Sequence, residues 1–197
     1  KTTRVPLKLL RSSWLGEKKI VMLEPRRLAA RAAAKRMAET LGEEIGATVG
    51  YTVRLDRKVS AKTRIEVVTE GILTRLLQHD PSLAGYGLVI FDEFHERSLQ
   101  ADLGLAFARE SQRLFRPDLR LLVMSATLDC AAVTRLLQDA DTISCEGRLF
   151  PVTTQYLDRP IEGHLEPAVV RSIRQALARD EGSLLVFLPG MAEIRRV

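Results

Sequence analysis

Short apolar runs alternate with amphipathic stretches along the chain. Residues 19–23 (KIVML) predict a buried strand, and residues 25–41, rich in Ala and Arg, predict a long helix with Pro25 in its first turn and Gly42 as its stop. Residues 48–53 and 65–68 carry enough β-branched side chains to predict two more strands. Thr69 can cap a helix that runs to about Gln78 and ends before Asp80-Pro81. A strand over 88–91, a helix over 99–114, a strand over 121–124 and a short helix over 130–137 follow, and residues 5–10 predict a helix near the start. Strands alternating with helices imply an α/β fold, a parallel sheet with both faces covered.

The rhythm breaks over residues 146–167, where Gly147, Pro151, Pro160, Gly163 and Pro167 leave room for one strand at 152–156. A helix over 168–179 and a strand over 184–188 then restart the pattern. The expected organisation is a first domain over 1–146, a linker over 147–165, and the start of a second α/β domain over 166–197. No internal repeat or low-complexity segment interrupts it.

Composition narrows the class. In 197 residues, 46% are hydrophobic, enough to build a sizeable core and too many for wholesale disorder. The apolar runs are far too short to span a bilayer, so no membrane partner is expected. The chain begins at Lys1 without a methionine and with nothing resembling a signal peptide, as expected of a fragment or a processed chain. Cys130 and Cys145 lack a zinc-ligand spacing and are expected to be reduced thiols. A formal charge of +5 permits a nucleic-acid partner without demonstrating one.

Candidate chemistry concentrates at strand ends. Asp92-Glu93 directly follows an apolar strand, and the C-terminal edge of an open α/β sheet is where ligands bind. Two adjacent carboxylates there suit a hard cation and a reacting water, with His95 in reach of a neighbour; a plain acidic first turn is the other explanation. Lys1-Thr2 matches the last two residues of the phosphate-binding pattern G-x-x-x-x-G-K-[ST], whose Lys reaches the β/γ-phosphates and whose hydroxyl reaches magnesium. Ser125-Ala126-Thr127 closes the strand at 121–124 and reads either as polar contacts to the acidic pair or as a helix cap. Arg27, Arg31 and Lys35 fall near one helical face, which can track phosphates or simply face solvent. Arg26 and Arg27 oppose the helix dipole, a cost that points to an anionic partner.

The pieces arrive in a familiar order: Lys1-Thr2-Thr3, Glu24-Pro25-Arg26-Arg27, Thr69-Glu70-Gly71, Asp92-Glu93-Phe94-His95, Ser125-Ala126-Thr127 and Phe187-Leu188-Pro189-Gly190. This series resembles motifs I, Ia, Ib, II, III and IV of the DEAH-box helicases of superfamily 2, and Phe94 with EPRRLAARAAAKRMA and VVTEGILTRLL most resembles their bacterial HrpB-type branch. The linker Gly147 to Val152 is also typical of that family. The resemblance implies a RecA-like P-loop domain plus the start of a second, with ATP and Mg2+ as ligands. It implies that Lys1, Thr2 and Thr3 end the phosphate loop, Lys1 on the β/γ-phosphates and Thr2 on the metal. Asp92 would hold the metal through water and Glu93 would be the base for the attacking water. His95, Ser125 and Thr127 would couple nucleotide state to the second domain. Arg36 would stack on adenine, and Arg27, Arg54 and Thr69 would touch the nucleic-acid backbone.

The implied activity is an ATP-dependent helicase acting on nucleic acid, single-stranded RNA foremost, in the bacterial cytoplasm. The glycine half of motif I and motifs V and VI with their arginine finger are not in the sequence, so the chain alone is expected to hydrolyse ATP poorly and to unwind nothing. A nucleotide-regulated binding scaffold and a DNA-acting P-loop translocase are the alternatives. An intact Asp92-Glu93 disfavours the first, and the TEG and EPRR motifs disfavour the second.

Overall fold

The computed structural model describes residues 1–126, 130–137, 140–145, 147, 150–157, 160–161 and 163–197. Clustering of contacts divides the chain into two units, Lys1–Ile143 and Ser144–Val197.

In the first unit the elements follow the chain as α1 (Val5–Leu9), β1 (Lys19–Glu24), α2 (Arg27–Leu41), β2 (Val49–Val53), β3 (Asp56–Lys58), β4 (Ile65–Thr69), α3 (Glu70–His79), β5 (Tyr86–Phe91), α4 (Leu99–Leu114), β6 (Arg120–Val123) and α5 (Cys130–Leu136). The strands form one six-stranded sheet in the order β3-β2-β4-β1-β5-β6. All pairings are parallel except that of β2 with β3. Alternation along β1 explains why helices cover both faces. Ile20 and Met22 meet Ala30, Ala34 and Met37 of α2, whereas Val21 and Leu23 meet the side of Leu73, Leu77 and Leu105 on α3 and α4.

Two elements of this unit depart from the sequence expectation. Helix α2 begins at Arg27 rather than Pro25, because Arg26 stays extended as its N-cap, with φ −120° and ψ 137°. At the other end Gly42 takes the left-handed conformation, φ 71°, and its N–H caps the last turn as expected. Strand β3 was not foreseen. Asp56-Arg57-Lys58 carries no apolar alternation, and it becomes a strand through backbone pairing with β2, supported by the Tyr51 hydroxyl donating to Asp56 Oδ2 at 2.8 Å.

The second unit carries α6 (Leu165–Arg179) and α7 (Met191–Arg196), linked by Arg196 Nη1 donating to Glu166 Oε1 at 2.6 Å. Helix α6 starts before Ala168, with Pro167 inside its first turn where its missing N–H costs nothing. Neither expected strand, at 152–156 or 184–188, forms among the described residues. An apolar run becomes a strand only beside another strand, and the described residues of this unit offer none, so Leu185 and Phe187 are exposed.

Candidate active site

The parallel register sets Glu24 at the end of β1 beside Thr69 at the end of β4, with Leu23 beside Phe91 and Phe91 beside Val123. The C-terminal ends of four strands therefore share one edge, and the residues just beyond them carry the candidate chemistry.

Asp92-Glu93-Phe94-His95 leaves β5 at this edge. It is pinned on both sides: Asp92 N–H donates to Leu23 O at 3.0 Å, and Phe94 N–H donates to Met124 O at 3.1 Å. The turn itself is sharp. Glu93 precedes the 3-10 turn Phe94–Glu96 with φ 49° and ψ 35°, and Arg97 follows it with φ 41°. Left-handed backbone at a non-glycine residue is uncommon and concentrates at functional sites, where surrounding structure holds it in place. Buried Phe94 supplies that hold by packing edge-on against Phe91 at 6.2 Å between centroids, with the Arg97 guanidinium 5.4 Å from its own ring.

Asp92 is 5% exposed, and its Oδ1 accepts the Glu93 N–H at 2.9 Å while its Oδ2 has no partner among the described residues. Glu24 is 2% exposed, and its Oε1 is likewise without a partner. Burial, with the Asp92 carboxylate beside it as the next cause and Glu93 and Glu96 behind, pushes the Glu24 carboxyl up to about 8. Sequence reasoning gave Glu24 no role. The signal was available, since it ends an apolar strand just as Asp92 follows one, but the Glu-Pro pair was absorbed into the start of a helix.

Thr2, Thr3, Glu24, Arg36 and Glu93 line one cavity of about 480 Å³, together with Arg26 and Glu96. A second cavity of about 260 Å³, lined by Asp92, Glu93, Arg26 and Glu70 among others, adjoins the same acidic turn. Lys1 begins the first turn of α1, its carbonyl accepting from Val5 N–H at 3.0 Å, and its Nζ donates to the Ser125 carbonyl. The first-motif residues and the residue closing β6 therefore meet. His95 Nδ1 lies 3.5 Å from Glu93 Oε2 and 3.4 Å from the Ala126 backbone N. One nitrogen serves either contact: a proton on Nδ1 selects Glu93, and its lone pair selects the Ala126 N–H. Thr127 lies outside the described residues.

The remaining site residues are placed as follows. Arg36 projects from α2 with an exposed side chain, 3.8 Å from Glu39. Arg27 opens α2 exposed, Arg54 is exposed in the turn between β2 and β3, and half-buried Thr69 ends β4. Thr69 occupies the N-cap position of α3 without a side-chain cap bond. The basic face expected on α2 is partly committed within the chain: Arg31 pairs with Asp56 at 2.6 Å. The anionic partner expected for Arg26 is Glu96, at 3.0 Å.

The donor set fits a hydrated divalent cation. Two buried carboxyl oxygens lack partners, and threonine hydroxyls line the adjoining cavity. Among the described residues no three His, Cys, Asp or Glu side chains are grouped to ligate a metal directly.

Residues 1–136 match the DEAD/DEAH box helicase family. The chain is 52% identical over 197 residues to the Escherichia coli protein named ATP-dependent RNA helicase HrpB, covering 100% of this chain and 24% of that protein. Two solved structures are similar. The crystal structure of the E. coli DEAH/RHA helicase HrpB superposes with a TM-score of 0.91 at 52% identity, over 100% of this chain and 25% of that one. A second, of the E. coli DExH-box NTPase HrpB, gives 0.79 at 51% identity, over 99% and 24%. The chain thus spans about a quarter of the length of these relatives. Among the described residues no helix is long and apolar enough to cross a membrane.

Proposed function

The chain belongs to the DEAD/DEAH box helicase family, and from that premise we propose that it is the ATP-binding part of a cytoplasmic ATP-dependent helicase that moves on or unwinds RNA. One observation carries the reading: Thr2, Thr3, Arg36 and Glu93 face a single cavity at the sheet edge where the buried Asp92 carboxylate has an oxygen to spare.

In this reading Lys1 would bind the β/γ-phosphates, and Thr2 and Asp92 would hold Mg2+, Asp92 through water. When bound, the metal supplies neutralisation of the phosphate charge. Glu93 accepts a proton from the attacking water at its side-chain carboxylate, with the left-handed backbone fixing where that carboxylate points. Arg36 stacks on the adenine. His95, Ser125 and Thr127 couple the nucleotide to the following segment. For His95 the device is the choice of Nδ1 between Glu93 and the Ala126 N–H, since a change at Glu93 alters which contact survives. Arg27, Arg54 and Thr69 contact the phosphate backbone of single-stranded RNA, giving affinity with little base preference.

The test joins the chain to the flanking segments that its relatives carry and measures ATPase rate with single-stranded RNA, single-stranded DNA or neither. RNA is expected to stimulate most. Glu93→Gln is expected to lower the rate by about 10² to 10⁴, the usual worth of a general base. Equal rates for the two proteins would remove Glu93 from its role, and stimulation by DNA alone would redirect the substrate assignment.

A further inference from the structure

We infer that Glu24 is a further carboxylate of the metal-and-water site, gripping the water shell of a divalent cation from the end of β1 as Asp92 does from the end of β5. The inference rests on the ATP-hydrolysing reading above and adds to it a residue outside the acidic motif that defined the site.

The geometry is specific. Leu23 and Phe91 are register partners on adjacent parallel strands, so the residues that follow them, Glu24 and Asp92, leave the sheet side by side. Both are almost wholly buried, a hydrogen bond links the two carboxyls, and Glu24 Oε1 and Asp92 Oδ2 find no other partner among the described residues. Glu24 lines the same cavity as Thr2, Thr3 and Glu93. The nearby basic groups are engaged elsewhere: Arg26 with Glu96, Lys1 Nζ with the Ser125 carbonyl.

Two buried acidic groups placed together cost free energy unless a shared proton or a cation joins them, and a bound cation takes the place of the proton between Glu24 and Asp92. A purely structural role is better served by an amide. Gln in place of Glu24 removes a negative charge from beside Asp92 and adds a donor that the Asp92 carboxylate can accept from. A cation reverses that preference. Mg2+ retains several of its waters, and those waters need acceptors, which is what Glu24 Oε1 and Asp92 Oδ2 are. Glu24 is thus a positioning residue, acting on the metal's waters rather than on the reacting phosphate.

The experiment uses the protein and its Glu24→Gln variant with Mn2+ alone, followed by electron paramagnetic resonance, and thermal unfolding with and without Mg2+ alone. The native protein is expected to bind Mn2+. The variant is expected to bind it about tenfold more weakly, as for loss of an outer-shell partner, and to unfold at a higher temperature than the native protein in metal-free buffer. Unchanged Mn2+ affinity overturns the inference, as does absence of Mn2+ binding by the native protein. So does a lower metal-free unfolding temperature or failure to fold, since the carboxyl is then a structural group. The hydrolytic reading is tested separately by Glu93→Gln. Glu24-dependent Mn2+ binding in a protein without ATPase activity would refute that reading alone, and Glu93-dependent hydrolysis with Mn2+ binding indifferent to Glu24 would refute this one alone.

Discussion

The Ser98 hydroxyl donates to Glu70 Oε1 at 2.5 Å while accepting the Ala101 backbone N–H at 3.0 Å. One side chain thereby caps α4 and ties it to the first residue of α3. Glu70 follows Thr69, proposed to touch nucleic acid, and Ser98 ends the segment that begins with Asp92. In the proposed function the bond therefore spans the region assigned to nucleic acid and the region assigned to nucleotide, and it does so over three side-chain and backbone groups.

Removing the hydroxyl should weaken both attachments. Loss of an N-cap serine costs about 1 kcal/mol and loss of a hydrogen bond to a charged group about 1.5 kcal/mol or more. Ser98→Ala is therefore expected to lower the unfolding temperature by roughly 5–10 °C, given about 2–4 °C per kcal/mol at this size. Ser98→Asp preserves an acceptor for the Ala101 N–H but sets a carboxylate against Glu70, so it should recover less than a cap alone would predict. Identical melting of Ser98→Ala and the native protein would show that neither attachment matters.

The contrast between β3 and residues 184–188 shows where sequence reading succeeds. Strands β1, β2, β4 and β5 were legible because their apolar side chains are buried in the sheet, so burial and pattern carry the same information. β3 is charged and is held by its backbone pairing to β2, which no side-chain pattern announces. Residues 184–188 show the reverse: the pattern of a strand is present but no partner strand is. The site follows the same division. Asp92 and Glu93 were visible because they abut an apolar run. The Arg26–Glu96 bond joins residues 70 positions apart and leaves no local trace. Glu24 lay between these cases, visible as a residue but not as a neighbour of Asp92, because adjacency across parallel strands depends on their register.

The pairing of β2 with β3 makes Gly50 a strict position. A Cβ there would meet the Lys58 carbonyl oxygen well inside contact distance and Val59 Cγ1 at 2.8 Å. The first is backbone and cannot rotate away. Gly50→Ala should therefore push β3 off the sheet edge and cost about 2 kcal/mol or more, at the upper end of the range for overpacking. Urea unfolding and amide exchange over residues 56–59 would report it. A variant as stable as the native protein, with unchanged exchange there, would contradict the close approach.

Acid should loosen a different tie. Arg116 first, then Lys18, holds the Asp118 carboxyl well below the usual carboxylate range. A depressed folded value means that the stability is present above the unfolded value, near 3.8, and is lost as pH falls below it toward the folded value. Asp118→Asn is expected to be less stable than the native protein at pH 7, with the gap shrinking as pH falls below 3.8. A gap independent of pH would assign the effect to packing. The Arg116 guanidinium also donates to the Ser82, Leu83 and Tyr86 carbonyls. Arg116→Ala should accordingly cost more than Asp118→Asn at neutral pH, on the order of 2 kcal/mol, because those buried acceptors lose a charged donor.

Arg36 offers a separation of binding from stability. Its side chain is 72% exposed, and its ion pair with Glu39 is long at 3.8 Å. Exposed pairs of this kind contribute little, so Arg36→Ala should leave the unfolding temperature nearly unchanged. Its place in the cavity with Thr2, Thr3 and Glu93 predicts a different result for nucleotide. A guanidinium stacked on an adenine ring is worth about 1–2 kcal/mol, so removal should weaken binding of Mg·ATP by roughly tenfold. Lysine keeps the charge but not the planar group that stacks, so Arg36→Lys should recover only part of the loss. A triphosphate without a base discriminates further: its affinity should be the same for all three proteins, since the proposed contacts of the phosphate end are Lys1 and Thr2 instead. If Arg36→Ala weakened that ligand as much as it weakened ATP, the residue would be acting as a phosphate contact and the adenine would have to lie elsewhere along the cavity.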